Sequence, residues 1–284
     1  MKKGLVLEGG GMRGLFTAGV MDVMMEHGIR FDGIVGVSAG ASFGCNYKSH
    51  QIGRVLRYNI RFKDDPRYMG LRSLLKTGNL VAAEFSYHTL PKELDVFDFD
   101  AYNADPAEFH VVCTDVLTGE PVYHRIDYMD DDGLEWIRAS ASMPLVSKPV
   151  NIDGKLLLDG GISDSIPLRY FQGQGFERNL VILTQPKGFY KKRTKLMPLF
   201  HLFSSRYPAI VQAMSRRHLM YNEELAFLEE QERQGNILLI YPQDTLPIGR
   251  TEQKEQKMRR VYAMGREMAD GMLPAIQTFM KQNE

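Results

Sequence analysis

Short apolar runs alternate along the chain with longer stretches whose apolar residues recur at helical spacing, and glycines or prolines mark most of the joints. The first fifty residues read as a tight βαβ unit. Gly4-Leu5-Val6-Leu7 is an apolar run that soon meets glycines, as a buried parallel strand would be. From Gly14 to Glu26, Leu15, Phe16, Val20, Val23 and Met24 recur at helical spacing, and Gly28 stops the pattern like a C-cap. Ile34-Val35-Gly36-Val37 is a second buried strand, followed by a small-residue helix from Ser38 to Tyr47. A crossover of this length makes the two strands parallel neighbours with a right-handed connection.

Residues 54–108 hold turn signals, Asp64-Asp65-Pro66 and Thr77-Gly78-Asn79, among short helical stretches. Strands resume at Phe109 to Thr114 and Pro121 to Arg125, with Thr118-Gly119 as the turn of a hairpin. Leu134 to Ser142 reads as a helix that stops before Pro144. Lys155 to Leu158 is a strand ending at Asp159-Gly160-Gly161, and Leu180 to Thr184 is another buried strand, closed by Pro186. The basic run Lys187 to Lys195 reads as a solvated loop. A helix from about Tyr207 to Gln234, a strand from Asn236 to Tyr241 and a helix from Thr251 to Lys281 complete the pattern. This alternation predicts an α/β three-layer sandwich with a mainly parallel central sheet flanked by helices. No linker interrupts it, so one domain is expected over residues 1–284, with a core at about 4–186 and a helix-strand-helix extension at about 187–284.

Composition narrows the function classes. A hydrophobic content of 44% with 25% charged residues allows a sizeable core. Thirty-five basic and thirty-five acidic side chains cancel, which leaves no electrostatic footprint for nucleic acid. Cys45 and Cys113 are too few for a disulfide framework and fit a reducing compartment. The apolar stretch after Met1-Lys2-Lys3 ends at Glu8, too soon for a signal-peptide core. The longest uncharged run, Gly33 to Tyr47, is too short and too rich in Gly and Ser to span a bilayer. A cytoplasmic protein is expected.

Three glycine-marked segments carry candidate chemistry. Gly36-Val37-Ser38-Ala39-Gly40 is a Gly-x-Ser-x-Gly between a buried strand and a small-residue helix, the setting of a nucleophile elbow. Its serine takes a strained backbone conformation, and the glycines on either side avoid crowding. The plainer alternative is a βα turn with Ser38 as N-cap. Gly9-Gly10-Gly11-Met12-Arg13-Gly14 also fits the dinucleotide fingerprint Gly-x-Gly-x-x-Gly. That fingerprint wants an acid at the end of the second strand, whereas Asp32 precedes it and Ser38 ends it. The loop is better read as an oxyanion hole, with the Gly10 and Gly11 amides facing the tetrahedral oxygen formed when Ser38 attacks a carbonyl. Arg13 either steadies the loop, holds an anionic head group or is a solvated surface residue.

A serine hydroxyl needs a base. None of the seven histidines, at 27, 50, 88, 110, 124, 201 and 218, lies in a glycine-rich loop at a strand end. Asp159 does: it ends an apolar strand, precedes Gly160 and Gly161, and emerges beside Ser38 if that strand is parallel to the second. An ordinary Asp-Gly turn is the alternative.

Together the three motifs resemble those of the patatin-like phospholipase family, in order and near spacing. Ala139-Ser140-Ala141-Ser142-Met143-Pro144 resembles the family's segment before the dyad aspartate, with Ser142 where many members carry alanine, and Ile162 to Pro167 resembles its continuation. The likeness covers about residues 4–186. It implies a Ser38–Asp159 dyad without histidine, an oxyanion hole at Gly9–Gly14, an acyl-enzyme intermediate, phospholipid, lysophospholipid or neutral-lipid ester substrates, and no metal or organic cofactor. Two other readings stand beside it. One is an α/β-hydrolase esterase with a triad completed by His201 or His218, against which the single crossover between Gly11 and Ser38 speaks. The other is a non-catalytic acyl or lipid-binding protein. Leu196-Met197-Pro198-Leu199-Phe200-His201-Leu202-Phe203 beside the basic run leaves peripheral contact with the inner face of a membrane open, with core packing as its alternative.

Overall fold

Alternate residues of the central strands face opposite helical layers, as the two-residue period of a strand requires. The computed structural model, which describes residues 1–202 and 206–281, places β1 (Lys3–Leu7), β2 (Gly33–Val37), β3 (Glu108–Asp115), β7 (Arg178–Ile182) and β8 (Ile237–Ile240) side by side. They run parallel in the order β3-β2-β1-β7-β8, with Leu5 opposite both Ile34 and Leu180. Leu5, Leu7, Ile34, Phe109 and Leu180 point into a core shared with α1 (Gly14–Glu26), α2 (Ala39–Lys48) and α10 (Glu255–Lys281). Val6, Val35, Val37, Val112 and Val181 point the other way, onto α7 (Leu168–Gly173) and α9 (Pro208–Arg233). The three-layer α/β architecture with a mainly parallel sheet is the one the chain pattern predicts.

Asp159 comes to Ser38 by a route other than the parallel strand on which the sequence reading makes it conditional. The strand carrying Asp159, β6 (Lys155–Asp159), runs antiparallel to β3, as do the hairpin strand β4 (Pro121–Arg125) and, against β6, β5 (Val150–Ile152). β4 occupies one edge of β3 from His110 to Thr114. β2 pairs with β3 as far as Val37 opposite Val112, and β6 pairs with it from Asp115 back to Cys113, opposite Asp159. Both therefore share the other edge and approach from opposite directions. Their carboxyl ends meet at the midpoint of β3, which brings Ser38 and Asp159 together without a parallel strand.

Residues 54–108, read as short helical stretches between turns, form α3 (Arg54–Arg61), α4 (Leu71–Thr77), a π-helical stretch (Phe85–Leu94) and α5 (Phe99–Ala104). The remaining helices are α6 (Asp131–Ser140) and α8 (Met197–His201). Beyond residue 186 the chain extends the same layers: β8 continues the sheet, α9 covers one face and α10 crosses α1. At that crossing a Cβ on Gly265 would overlap the Phe16 carbonyl, and one on Gly19 the Tyr262 carbonyl. Neither backbone can yield by a rotamer change. Gly265→Ala gains at most about 1 kcal/mol of helix propensity but overpacks the crossing, at a cost of about 1–3 kcal/mol. A lower melting temperature is the expected result.

Candidate active site

β2 ends in a turn so sharp that Ser38 has φ 56° and ψ −121°, a region a residue with a Cβ enters only under strain. α2 begins at the next residue, so the hydroxyl lies at a helix N-terminus. Gly40 is where the turn touches β1: a Cβ there would overlap the Leu7 carbonyl.

Ser38 Oγ donates a 2.6 Å hydrogen bond to Asp159 Oδ2. The other carboxylate oxygen, Oδ1, accepts from the Gly161 amide at 2.8 Å. The Asp159 backbone is tied as well, since its N–H donates to the Ser142 carbonyl and its carbonyl accepts from Thr114 Oγ1, both at 2.8 Å. Burial pushes the Asp159 carboxyl above the ordinary carboxylate range, while the Ser38 hydrogen bond and the Arg217 charge hold it partly back. Arg217 reaches the loop from α9, its Nε donating to the Gly161 carbonyl.

Where β2 leaves β3 and β6 takes over, Ser140 from α6 fills the gap. Its hydroxyl accepts from the Ser38 amide at 3.0 Å and donates to the Val112 carbonyl at 2.7 Å. Ser140→Ala leaves both backbone groups unpaired in the interior, at an expected cost of about 1–3 kcal/mol. Chemical denaturation of the variant measures that cost, and activity falls with the loosened elbow.

The glycine loop passes directly over the serine. A Cβ on Gly9 would sit 2.8 Å from the Val37 carbonyl oxygen and 2.9 Å from Ser38 Cβ. Glu8 anchors the loop: its carboxylate is buried and accepts from the Thr184 amide (2.6 Å), the Thr184 hydroxyl (3.0 Å) and the Tyr221 hydroxyl (2.6 Å). The Met12 amide donates to the Arg250 carbonyl at 3.0 Å, so the loop before α10 props the turn from outside. The Gly10 and Gly11 amides donate to no other described residue. Arg13 lies against Gly10 with its Nε buried and without a partner among the described residues.

Two cavities meet at Ser38. One, of about 310 Å³, is apolar and runs past Ala39, Phe43, Tyr58, Tyr68, Leu90 and Ile137. The other, of about 630 Å³, takes in Gly9–Gly11, Arg13, Val37, Asp159 and Gly161. Gly14, Gly36, Gly40 and Gly160 line neither and act in packing: Gly14 lies against Phe43 of α2, and a Cβ on Gly160 would overlap the Val112 carbonyl.

The basic run is exposed at Lys187, Lys192, Arg193 and Lys195, as expected of a solvated loop, and departs from that state at Lys191. Lys191 is drawn into the larger cavity, with its Nζ 3.6 Å from the centre of the Tyr221 ring. Burial and then the Arg217 charge lower its pKa to about 7. In and beside α8, Met197 and Phe200 are buried, Leu196 and Leu199 are exposed along the cavity lining, Leu202 is exposed outside it, and Phe203 lies outside the described residues. His218, on α9, lines the larger cavity but bonds to neither Ser38 nor Asp159. Lys191, Arg217 and Arg250 carried no sequence signal for this site, being single residues without motif or spacing, and the Ala139–Pro144 segment marks Ser140 without revealing its bracing role.

The family model described as Patatin-like phospholipase matches residues 5–171. The chain belongs to the patatin-like phospholipase family. A second model, described as a domain of unknown function (DUF6363), matches residues 207–281 of this patatin-like chain. "Uncharacterized protein YjjU" of Escherichia coli (strain K12) is 30% identical over 272 residues, 92% of this chain and 74% of that protein. "Uncharacterized NTE family protein Rv1063c" of Mycobacterium tuberculosis (strain ATCC 25618 / H37Rv) is 30% identical over 181 residues, 63% of this chain and 48% of that one. "Lysophospholipase nte1" of Aspergillus oryzae (strain ATCC 42149 / RIB 40) is 28% identical over 177 residues, 61% of this chain but 11% of its own length. This patatin-like chain thus spans about half of the mycobacterial protein and a small part of the fungal one. Among the described residues, no helix is long and apolar enough to cross a membrane.

Proposed function

We propose that this protein is a serine acyl hydrolase that cleaves lipid esters through Ser38 and Asp159. The observation that carries the reading is the 2.6 Å hydrogen bond from Ser38 Oγ to a carboxylate whose second oxygen is already held by the Gly161 amide. Asp159 takes the proton as Ser38 attacks the acyl carbon. The oxyanion that forms lies under the Gly9–Gly11 turn, whose free amides stabilise it by about 3–4 kcal/mol each. Collapse returns the proton to the leaving alcohol. Asp159 then activates a water that releases the acid from the acyl-enzyme. The apolar cavity beside Ala39 and Phe43 suits the acyl chain.

Family membership and a relative named as a lysophospholipase support lipid esters as the substrate class. The test is hydrolysis of a panel of acyl esters together with covalent labelling by a fluorophosphonate. A folded protein that does neither overturns the reading in favour of binding alone.

A Ser-Asp-His triad keeps one observation in its favour, the presence of His218 in the cavity wall with its Nδ1 buried and unpartnered among the described residues. Both Asp159 oxygens are nevertheless engaged, by Ser38 and by Gly161. His218→Gln is therefore expected to keep turnover of a neutral ester within about threefold, where a triad enzyme loses several orders of magnitude.

A further inference from the structure

The larger cavity carries more cations than the hydrolytic reaction uses, in which the Arg217 charge acts on Asp159. Arg13, Lys191, Lys192, Arg217 and Arg250 line it, and none of them forms an ion pair among the described residues. Two carboxylates share the wall, and both are committed. Asp159 holds Ser38 and Gly161, and Glu8 holds Thr184 and Tyr221. Lys192 and Arg250 stay exposed, whereas Arg13, Lys191 and Arg217 are drawn from water beside one another, which is costly unless an anion joins them. Among the described residues Arg13 Nε is buried without a partner, and the Arg217 side chain donates one hydrogen bond, from Nε to the Gly161 carbonyl, which leaves both terminal nitrogens for a ligand. Desolvation and repulsion from neighbouring arginines lower the pKa of Arg13, Lys191 and Arg217 together, against the opposing pull of Glu8, so an added anion would favour all three charged forms.

Four of the five cations lie outside the residues matched by the patatin-like model, and Arg217 and Arg250 belong to the segment matched by the domain of unknown function. This segment also supplies the Arg250 carbonyl that props the glycine turn. It is therefore part of the site wall.

Resting on the reading of Ser38 as the nucleophile, we propose that Lys191, Arg217 and Arg250, with Arg13, form a subsite for a phosphate monoester. The preferred substrate is then a single-chain acyl ester whose alcohol ends in that phosphate. The chain occupies the apolar cavity, the ester lies over Ser38 and the dianionic end enters the cationic cavity. Arginine forks and a lysine point charge match phosphate oxygens. A choline-bearing diester fits worse, because its quaternary ammonium would enter a cavity whose two carboxylates are committed and whose Tyr221 ring already carries Lys191.

The test compares decanoyl-glycerol phosphate, decanoyl-glycerol phosphocholine and decanoyl-glycerol below their micellar concentrations. The wild-type protein is expected to favour the phosphate monoester over both others by at least about tenfold in kcat/KM. Lys191→Gln and Arg250→Gln are each expected to lower that preference ratio by about tenfold, with a thermal melt of each variant to show that it folds. Calorimetric titration of decanoyl-glycerol phosphate into Ser38→Ala reads the subsite without catalysis. Tight binding there with no hydrolysis of any ester upholds the subsite and removes the hydrolase reading. Equal turnover and equal binding of all three lipids overturns the subsite and leaves the hydrolase reading intact. Inorganic phosphate that binds Ser38→Ala as tightly as the lipid phosphate assigns the cations to a free anion and overturns the lipid assignment.

Discussion

Ser38→Ala is expected to abolish fluorophosphonate labelling and to lower kcat/KM for an acyl ester by about 10⁴-fold or more. Among the described residues the hydroxyl is the one nucleophile at the meeting point of the two cavities that has a carboxylate hydrogen-bonded to it. Without it the glycine turn and the cavities still gather the ester, so a small residual rate over water remains. The fold should survive. Alanine and serine bear similar strain at φ 56°, and the elbow remains held by the Ser140 hydroxyl. Unchanged circular dichroism with lost labelling locates the defect in the chemistry, whereas labelling that persists in the variant identifies another nucleophile and removes the proposed mechanism.

The second large effect belongs to Asp159→Asn, for which kcat is expected to fall by about 10³-fold or more at neutral pH. The amide can still accept from the Gly161 amide, but it takes no proton from Ser38. Its diagnostic readout is the pH profile. The carboxyl must be ionised to act as a base, and burial raises its pKa. Activity of the wild type is thus present above that raised pKa and disappears as the pH falls through it, on an acid limb displaced upward from the range of exposed carboxylates. The residual activity of Asp159→Asn should lack this limb. Removing the nearby positive charge with Arg217→Gln should move the wild-type limb to still higher pH, because that charge favours the ionised form. A limb unaffected by Asp159→Asn would mean that some other group titrates.

Much of this arrangement was legible in the chain. The apolar runs at Gly4–Leu7, Ile34–Val37 and Leu180–Thr184 announce parallel strands because a strand buried on both faces needs apolar residues at every position. The glycines around Ser38 announce a sharp turn for steric reasons that hold in any context. The sense of β6 was hidden, since pairing direction depends on the connection and on the partner edge, and Lys155–Leu158 reads alike either way. The cationic cavity was hidden for a different reason. Lys191 looked like one residue of a solvated basic run, and Arg217 and Arg250 look like surface positions on a helix and in a loop until the fold brings them around one space. Long-range convergence of isolated side chains leaves no periodic trace.

Because β2 and β6 are measured against the same edge of a third strand, β3 acts as a ruler for two groups far apart in the chain. A one-residue slip of β6 would turn the Asp159 side chain to the opposite face of the sheet and displace it by about 3.3 Å along the edge. Inserting a single residue within β6 should therefore silence the protein and also destabilise it, because the same slip turns the buried Leu157 and Leu158 away from the cores they fill. The distance between hydroxyl and carboxylate is thus a matter of registration, kept by backbone hydrogen bonds that take no part in the chemistry.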